Sequence, residues 1–458
     1  MNRKGFIQCS IAAVASLFSS RLSFASDGMS PSVSGEKFSA KEKKQLEEMT
    51  ELRHKARWRT RRIIMNNDGN DIQSTPDEVI TPDMFLSKRM KAIVGSQVDT
   101  YCYCTGITFG GSHRSGKDRL VQKRFGMDRC LEELDKLDTD PMQLVTDFCH
   151  QHNIEVFWSH RMNDNHDYLP ERKELLSNFK LSHPEYLFGH TLKKLHPKQA
   201  TCFDYAIPQV RDKMVESCKV VVDGYDVDGI ELDFFRHMTF FKSTITGGEA
   251  SDSEREMMND MMRKIRLVLD KASIRRGHPI LLSVRVPDSL EFSRRIGLDY
   301  DQWVKEDIVD LLVANDYVKF EPWSSMATYG KEHKIPVYAS IEKRRLHLMQ
   351  GFVEPEDGND LQYWMDEAYA AWLSGMNGIH LFNIYDPYNP VLSLLGDARL
   401  LALKGAEPRE SFGTDTKGYC DPNYWLKGGR KFLRIPAKIE YHKPAKRMKW
   451  PNTDSEIV

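Results

Sequence analysis

The sequence has no dominant charge. Its 65 Lys and Arg stand against 66 Asp and Glu, a formal net charge of −1. That balance gives no reason to expect nucleic acid or an anionic membrane as a partner. The one locally basic stretch, Lys438, Lys443, Lys446, Arg447 and Lys449, reads as a solvated surface tail. Past the first 25 residues there is no apolar run of 18 or more, so the mature chain is not expected to cross a bilayer as a helix. No Gly-x-Gly-x-x-Gly follows the first strand candidate, which argues against a dinucleotide-binding doubly wound sheet. Cys-x-x-Cys, His-x-His on the first strand and any second histidine cluster at ligand spacing are also missing. No metal or other cofactor is therefore expected. Asn66-Asn67-Asp68-Gly69-Asn70-Asp71 starts like a calcium loop but lacks the glycine and distal glutamate of an EF-hand. Internal repeats of 20–50 residues are not found.

What is present begins with an address. Arg3 and Lys4 precede an apolar stretch from Phe6 to Phe18, and Ser23-Phe24-Ala25 offers a small-x-small cleavage site. Residues 1–25 thus read as a secretory signal peptide, which predicts an exported, periplasmic or extracellular protein. Of the eight cysteines, Cys9 lies in this leader. The other seven are Cys102, Cys104, Cys130, Cys149, Cys202, Cys218 and Cys420, and an odd number implies at least one free thiol or an intermolecular pair. Cys102 and Cys104, two apart on a strand, fit buried small hydrophobes.

Residues 26–58 read as a Ser/Gly/Pro-rich linker followed by a charged surface helix. From residue 59 to 405, β-rich runs alternate with helical ones. Eight strand candidates emerge: Arg61–Asn66, Val98–Cys104, Ile154–His160, Asp226–Asp233, Pro279–Val286, Val309–Asp316, Ile335–Glu342 and Gly378–Asn383. Helices are expected at Pro82–Val94, Asp140–His152, Ile207–Val222, Ser253–Ala272, Tyr300–Glu306 and Asp360–Ser374. Thr81-Pro82-Asp83 has the N-cap followed by proline of a helix start. Eight strands with helical crossovers predict an α/β fold, a (β/α)8 TIM barrel, with an open doubly wound sheet as the rival. Residues 406–458, rich in Gly, Pro and Lys, read as a C-terminal extension with a short β-like run at Lys431–Ile435.

Most strand candidates end in polar residues, which predicts a site on that face of the barrel. The strongest signal is Asp226-Val227-Asp228-Gly229-Ile230-Glu231-Leu232-Asp233. Alternation turns Glu231 and Asp233 to one face and Ile230 and Leu232 to the other. Two carboxylates inside a barrel are costly unless paired or working. Asp233, at the mouth, is expected to act as nucleophile or general base, with Glu231 one layer deeper either raising its neighbour's pKa or binding a positive partner. The alternative for Asp233 is a carboxylate locked by Arg285 or by backbone N–H groups. The second carboxyl group is sought among Glu342, Asp316 and Asp288 at the ends of other strands. Arg285 either neutralises Glu231 or binds an anionic substrate group, and Arg161, Arg236 and His237 extend that idea. His160 and His237 are candidate proton shuttles. Tyr103, Trp158, Trp323 and Tyr385 are candidate sugar-stacking faces, and Asn66, Asn315 and Asn383 candidate polar contacts to a substrate.

The segment Asp228-Gly229-Ile230-Glu231-Leu232-Asp233 resembles the fourth strand of barrel glycoside hydrolases, where Asp-Gly-Ile-x-x-Asp follows a helix of the type Asn/Tyr-Pro-x-Val-Arg. Here the upstream piece reads Tyr205-Ala206-Ile207-Pro208-Gln209-Val210-Arg211. The chain is thereby similar to the bacterial glycosyl-hydrolase-like barrels, closely over about 35 residues and loosely over 60–405. The resemblance implies an exported enzyme hydrolysing a neutral or anionic poly- or oligosaccharide through a carboxylate pair. It also resembles chitinase-type barrels, but Phe235 stands where their catalytic glutamate would be, which argues against substrate-assisted chemistry. That departure keeps a second reading open, a non-catalytic carbohydrate-binding barrel. A metal-dependent hydrolase on the same fold is a third. The oligomeric state is left open.

Overall fold

The computed structural model describes residues 39–114, 124–169, 175–192, 195–315, 317–346, 360–411 and 420–434. The expected leader and linker up to residue 38, and residue 435 onward, lie outside them. Eight parallel strands close into a barrel: β1 Ile63–Asn67, β2 Val98–Cys104, β3 Glu155–Arg161, β4 Gly229–Asp233, β5 Leu281–Val286, β6 Leu311–Ala314, β7 Val337–Ile341 and β8 Ile379–Phe382. All eight coincide with the strands read from the sequence. The closing pair is β1 with β8, in register Ile63 to Ile379 and Asn66 to Phe382.

The expected helices form as well, at Pro82–Arg89, Pro141–Gln151, Pro208–Gly224, Asp252–Arg276, Tyr300–Lys305 and Leu361–Leu373. Thr81 caps the first, its side chain accepting from the Met84 N–H, with Pro82 at the first turn. Among the described helices of eight residues or more, two were not foreseen, Met127–Lys136 and Trp323–His333. The first starts behind a glycine and the second behind a proline, so neither has the side-chain N-cap that marks a helix start in sequence.

Strand alternation sorts side chains into two cores. Ile230, Leu232, Val284, Leu312, Val337 and Ile379 face outward into the layer shared with the helices. Ile64, Cys102, Phe157, Leu281, Leu311, Val313 and Tyr338 fill the interior. Gly229 belongs to the interior set because a Cβ there would lie 2.7 Å from the Phe157 ring. The seven described cysteines are all buried and none forms a disulfide. Cys102 packs in the interior cluster as a small hydrophobe.

Two segments depart from expectation. The helix Ala40–Arg57 does more than cover the surface: Arg53 and Arg57 reach Asp310 at 3.2 and 2.9 Å, and Ala56 packs against the interior cluster, so the helix covers the N-terminal end of the barrel. The β-like run expected at Lys431–Ile435 is a 3-10 turn over Gly429–Phe432, and its Phe432, with Trp425 and Leu426, packs into the main core. Gly428, at a φ of 75° in the left-handed region, starts this turn and interrupts an extended run. No described helix is long and apolar enough to cross a membrane.

Candidate active site

The interior polar residues stack in layers along the barrel axis. At the N-terminal end Arg61 and Glu155 form a two-pronged pair, Nε to Oε2 at 2.7 Å and Nη2 to Oε1 at 2.8 Å, with Thr100 donating to Oε2 at 2.7 Å. Above the apolar layer lies Glu231. Its Oε1 accepts from Asn66 Nδ2 at 2.6 Å and Ser159 Oγ at 2.8 Å, and its Oε2 meets His380 Nε2 at 3.1 Å. Ser340 Oγ lies 3.2 Å from the other ring nitrogen of His380. Burial alone would raise the Glu231 pKa, but the hydrogen bond and charge of His380, the nearby Arg285 and Ser159 outweigh it and bring it to about 2.

Glu231 and His380 have no solvent exposure. Glu231 therefore lies one layer beneath Asp233 as a paired interior carboxylate, with Asn66 as one of its donors. The alternation rule found Glu231; its partner His380 went unnoticed because one strand's sequence does not show what stands across the barrel.

One layer higher sits Asp233. Its Oδ1 accepts from Arg285 Nε at 3.1 Å, Phe235 N at 3.0 Å and Arg236 N at 2.9 Å. Its Oδ2 pairs with Arg285 Nη2 at 3.0 Å. Both restraints weighed in the sequence, the arginine and the backbone N–H groups, thus hold this one carboxylate. Arg285 neutralises Asp233 directly, one layer above the Glu231 it was expected to pair. The Arg285 guanidinium lies 4.0 Å from the centre of the Phe382 ring, across the barrel.

Around this centre the strand ends form a rim. Arg161, at the end of β3, pairs with Asp164 at 3.1 Å. Thr108, from a small hairpin after β2, fixes that corner by donating to the Arg161 carbonyl at 2.7 Å and accepting from the Asp164 N–H. His166 contacts Asp164 through Nδ1 at 2.8 Å, and Arg236 Nη2 reaches His166 Nε2 at 3.2 Å. Arg236 Nη1 donates to the Tyr317 hydroxyl at 2.7 Å. Tyr385 donates to Asp68 at 2.7 Å, and Arg89 pairs with both Asp68 and Asp71, at 3.1 and 2.8 Å. The carboxylates of the calcium-like segment thus face a guanidinium. Among the described residues no group of three or more His, Cys, Asp or Glu side chains is placed to hold a metal.

Asn315 and Asn383, at the ends of β6 and β8, both have positive φ, 83° and 52°, where asparagine is better tolerated than branched residues. Asn315 donates to Asp288 at 3.1 Å. Asp288 also accepts the Phe320 and Glu321 N–H groups, so it organises a loop. Glu342 directly follows β7 and is partly exposed. Asp316 lies outside the described residues.

Four candidates sit elsewhere. Trp158, Tyr103 and His160 occupy outward-facing strand positions. Trp158 donates to Thr105 at 2.8 Å, Tyr103 packs edge-on to Phe85, and His160 lies between Trp158 and Phe109. Trp323 begins a helix and donates to buried Glu367 at 3.1 Å. These side chains pack the barrel against its surrounding layer, so they are not stacking faces of the mouth. Burial, reinforced by His113, lowers the His160 pKa to about 3, which removes it as a proton shuttle near neutrality. His237 stays at the rim, but burial and then Arg236 push it well below the usual histidine range too. His166, Tyr317 and Phe382 are rim residues that the sequence reading did not single out. Phe382 was legible by alternation from the interior position of His380.

No family model matches the chain, and no curated protein matches it. Solved structures do match. A GH36 alpha-galactosidase from Geobacillus stearothermophilus in complex with raffinose is similar over 75% of this chain and 42% of its own, with 16% identity and a TM-score of 0.40. Alpha-L-fucosidase isoenzyme 2 from Paenibacillus thiaminolyticus is similar over 76% of this chain and 48% of its own, with 14% identity and a TM-score of 0.43. The Group IV chitinase of Ostrinia furnacalis in complex with allosamidin is similar over 76% of this chain and 100% of its own, with 10% identity and a TM-score of 0.41. This chain spans less than half the length of the first two. At 10–16% identity none of their residue roles transfers to it.

Proposed function

We propose that this protein is an exported glycoside hydrolase whose chemistry takes place over Asp233. The observation that carries the reading is the Asp233 carboxylate itself, at the C-terminal end of β4. It accepts four hydrogen bonds from nitrogen donors, the pattern of an acceptor-only group. Three fall on Oδ1 and one on Oδ2, leaving Oδ2 the freer oxygen. A carboxylate so oriented suits the nucleophile or general base of glycoside hydrolysis and does not suit the acid. The proton for the leaving oxygen would then come from Glu342 or Asp316. Glycosidases set that partner about 5 Å away for retention and about 6.5–9.5 Å for inversion. Phe382 and Tyr317 set aromatic rings against Arg285 and each other at this end of the barrel, apolar surface of the kind a sugar cleft uses.

A non-catalytic carbohydrate-binding barrel is the second reading, favoured by one observation. Asp233 is 1% exposed, so a sugar reaches it only if the rim side chains shift. Measurement of reducing-sugar release over neutral, carboxylated and sulfated glycans decides between the two. Asp233→Asn is expected to lower release on the order of 10³-fold, about 4 kcal/mol of barrier, with a cooperative unfolding transition retained. Release that persists in the variant removes Asp233 from the chemistry. Binding without release, by both proteins, selects the second reading.

A further inference from the structure

Three neighbouring strands, β3, β4 and β5, bring three guanidinium groups to the mouth, and they are not equivalent. Arg161 has Asp164 and Arg285 has Asp233, each within ion-pair distance. Arg236 has no carboxylate among the described residues. Its side-chain hydrogen bonds go to the Tyr317 hydroxyl and to His166 Nε2. Its other neighbours are the rings of Tyr317 and Phe382, with centres 5.4 and 5.8 Å away.

The tautomer of His166 follows from those contacts. Nε2 faces a donor and must accept, so Nδ1 carries the hydrogen and donates to Asp164. The Asp164 charge is thus separated from Arg236 by a neutral ring. Arg236 is held in place by groups that orient it without neutralising it. Its Nε is buried and has no hydrogen-bond partner among the described residues. The next residue, His237, is 7% exposed, and its Nδ1 is likewise buried without a partner. Two adjacent side chains at the mouth therefore keep unused polar atoms, one of them on a permanent cation.

A partly buried guanidinium whose partners among the described residues are all neutral is poorly compensated by them and well placed to pair with an anion. Its planar fork matches a carboxylate or a sulfate ester, both of which accept two parallel N–H bonds. The flanking rings present an apolar face to the sugar that carries the anion. We propose that Arg236 is the specificity-determining residue of this site, and that the substrate is an acidic glycan whose carboxylate or sulfate ester it holds. The inference rests on the carbohydrate reading above and names the substrate class within it.

The test uses three tetrasaccharides, one neutral, one built on uronic acid and one bearing sulfate esters. Binding is followed by calorimetry and release by reducing-sugar assay, for wild type, Arg236→Gln, Arg236→Lys and the surface control Lys219→Gln. Wild type is expected to prefer one charged glycan, and which one tells carboxylate from sulfate. Arg236→Gln should weaken that glycan about 10–100-fold and leave the neutral one unchanged. Arg236→Lys should fall between them, since a point charge replaces a fork. Lys219→Gln, on a residue that is 61% exposed, should match wild type. Equal handling of charged and neutral glycans by wild type overturns the inference and leaves the carbohydrate reading standing. So does an equal loss on all three glycans in Arg236→Gln. If wild type neither binds nor cleaves any glycan, the carbohydrate reading fails, and the inference falls with it.

Discussion

The two ends of the barrel solve the same problem differently. Each carries an arginine–carboxylate pair on the axis, Arg61 with Glu155 below and Arg285 with Asp233 above. Below, Arg61 also donates to the carbonyls of Ala56, Arg57 and Arg59, and Glu155 takes a further bond from Thr100. Among the described residues both ends keep buried polar atoms without a hydrogen-bond partner, Arg53 Nε and Arg57 Nε below, and Arg236 Nε, His237 Nδ1, Asn315 Oδ1 and Asn383 Oδ1 above. Buried polar atoms left unpartnered are costly; those below belong to guanidinium groups already paired with Asp307 and Asp310, whereas those above lie at the strand ends around Asp233. The lower pair is a structural plug. The upper end has the features of a site, and the predictions separate these two roles.

The largest expected effect is at the plug. Glu155→Ala leaves the Arg61 charge buried and unmatched, which should cost about 3–5 kcal/mol of stability. Denaturant unfolding measures this, and release of sugar per folded molecule should stay near the wild-type level. The contrast between the ends breaks if Glu155→Ala stays as stable as wild type, or if its folded fraction is as inactive as Asp233→Asn.

Glu231 lies between the two ends and gives the contrast a pH dependence. Its pKa in the folded protein is depressed to about 2. A carboxylate depressed on folding stabilises the protein above its ordinary pKa and loses that contribution as pH falls towards the folded value. The stability advantage of wild type over Glu231→Gln should therefore shrink by up to about 3 kcal/mol between about pH 4.5 and pH 2. The measurement is a series of unfolding curves across that window. A difference that stays flat with pH would mean that Glu231 is not the charged partner of His380.

The barrel was legible in the sequence because its signal is repeated. Eight short apolar runs, six of them followed by a helical stretch, leave few alternatives, and period-two alternation placed Glu231, Asp233 and Arg285 on the inner face. The same alternation, carried through β3, would have turned Trp158 and His160 outward, since Phe157, Ser159 and Arg161 occupy the inner positions. Those two residues were instead selected for residue type and for nearness to a strand end. What alternation cannot supply is the partner across the barrel. Asn66, Ser159 and His380 converge on Glu231 from β1, β3 and β8, and no local window contains that meeting. The choice for Asp233 between a working carboxylate and a clamped one was likewise open in sequence, because the arginine that holds it comes from the next strand, 52 residues away.

The smallest expected effect tests how far the plug extends. The helix Ala40–Arg57 that covers the lower end begins with a capping box: the Ser39 hydroxyl accepts from Glu42 N at 3.3 Å, and the Glu42 carboxylate accepts from Ser39 N at 2.8 Å. These contacts are exposed, and such caps contribute about 1 kcal/mol. Ser39→Ala should lower unfolding stability by about that amount if the helix is part of the cooperative barrel, because Arg53 and Arg57 tie it to Asp310 beneath β6. It should leave glycan binding and release at wild-type values, since no contact of this helix reaches the mouth layer of Asp233 and Arg236. A cap substitution that leaves the main transition unmoved would show that the helix unfolds on its own. The plug would then consist of Arg61, Glu155 and Thr100 alone.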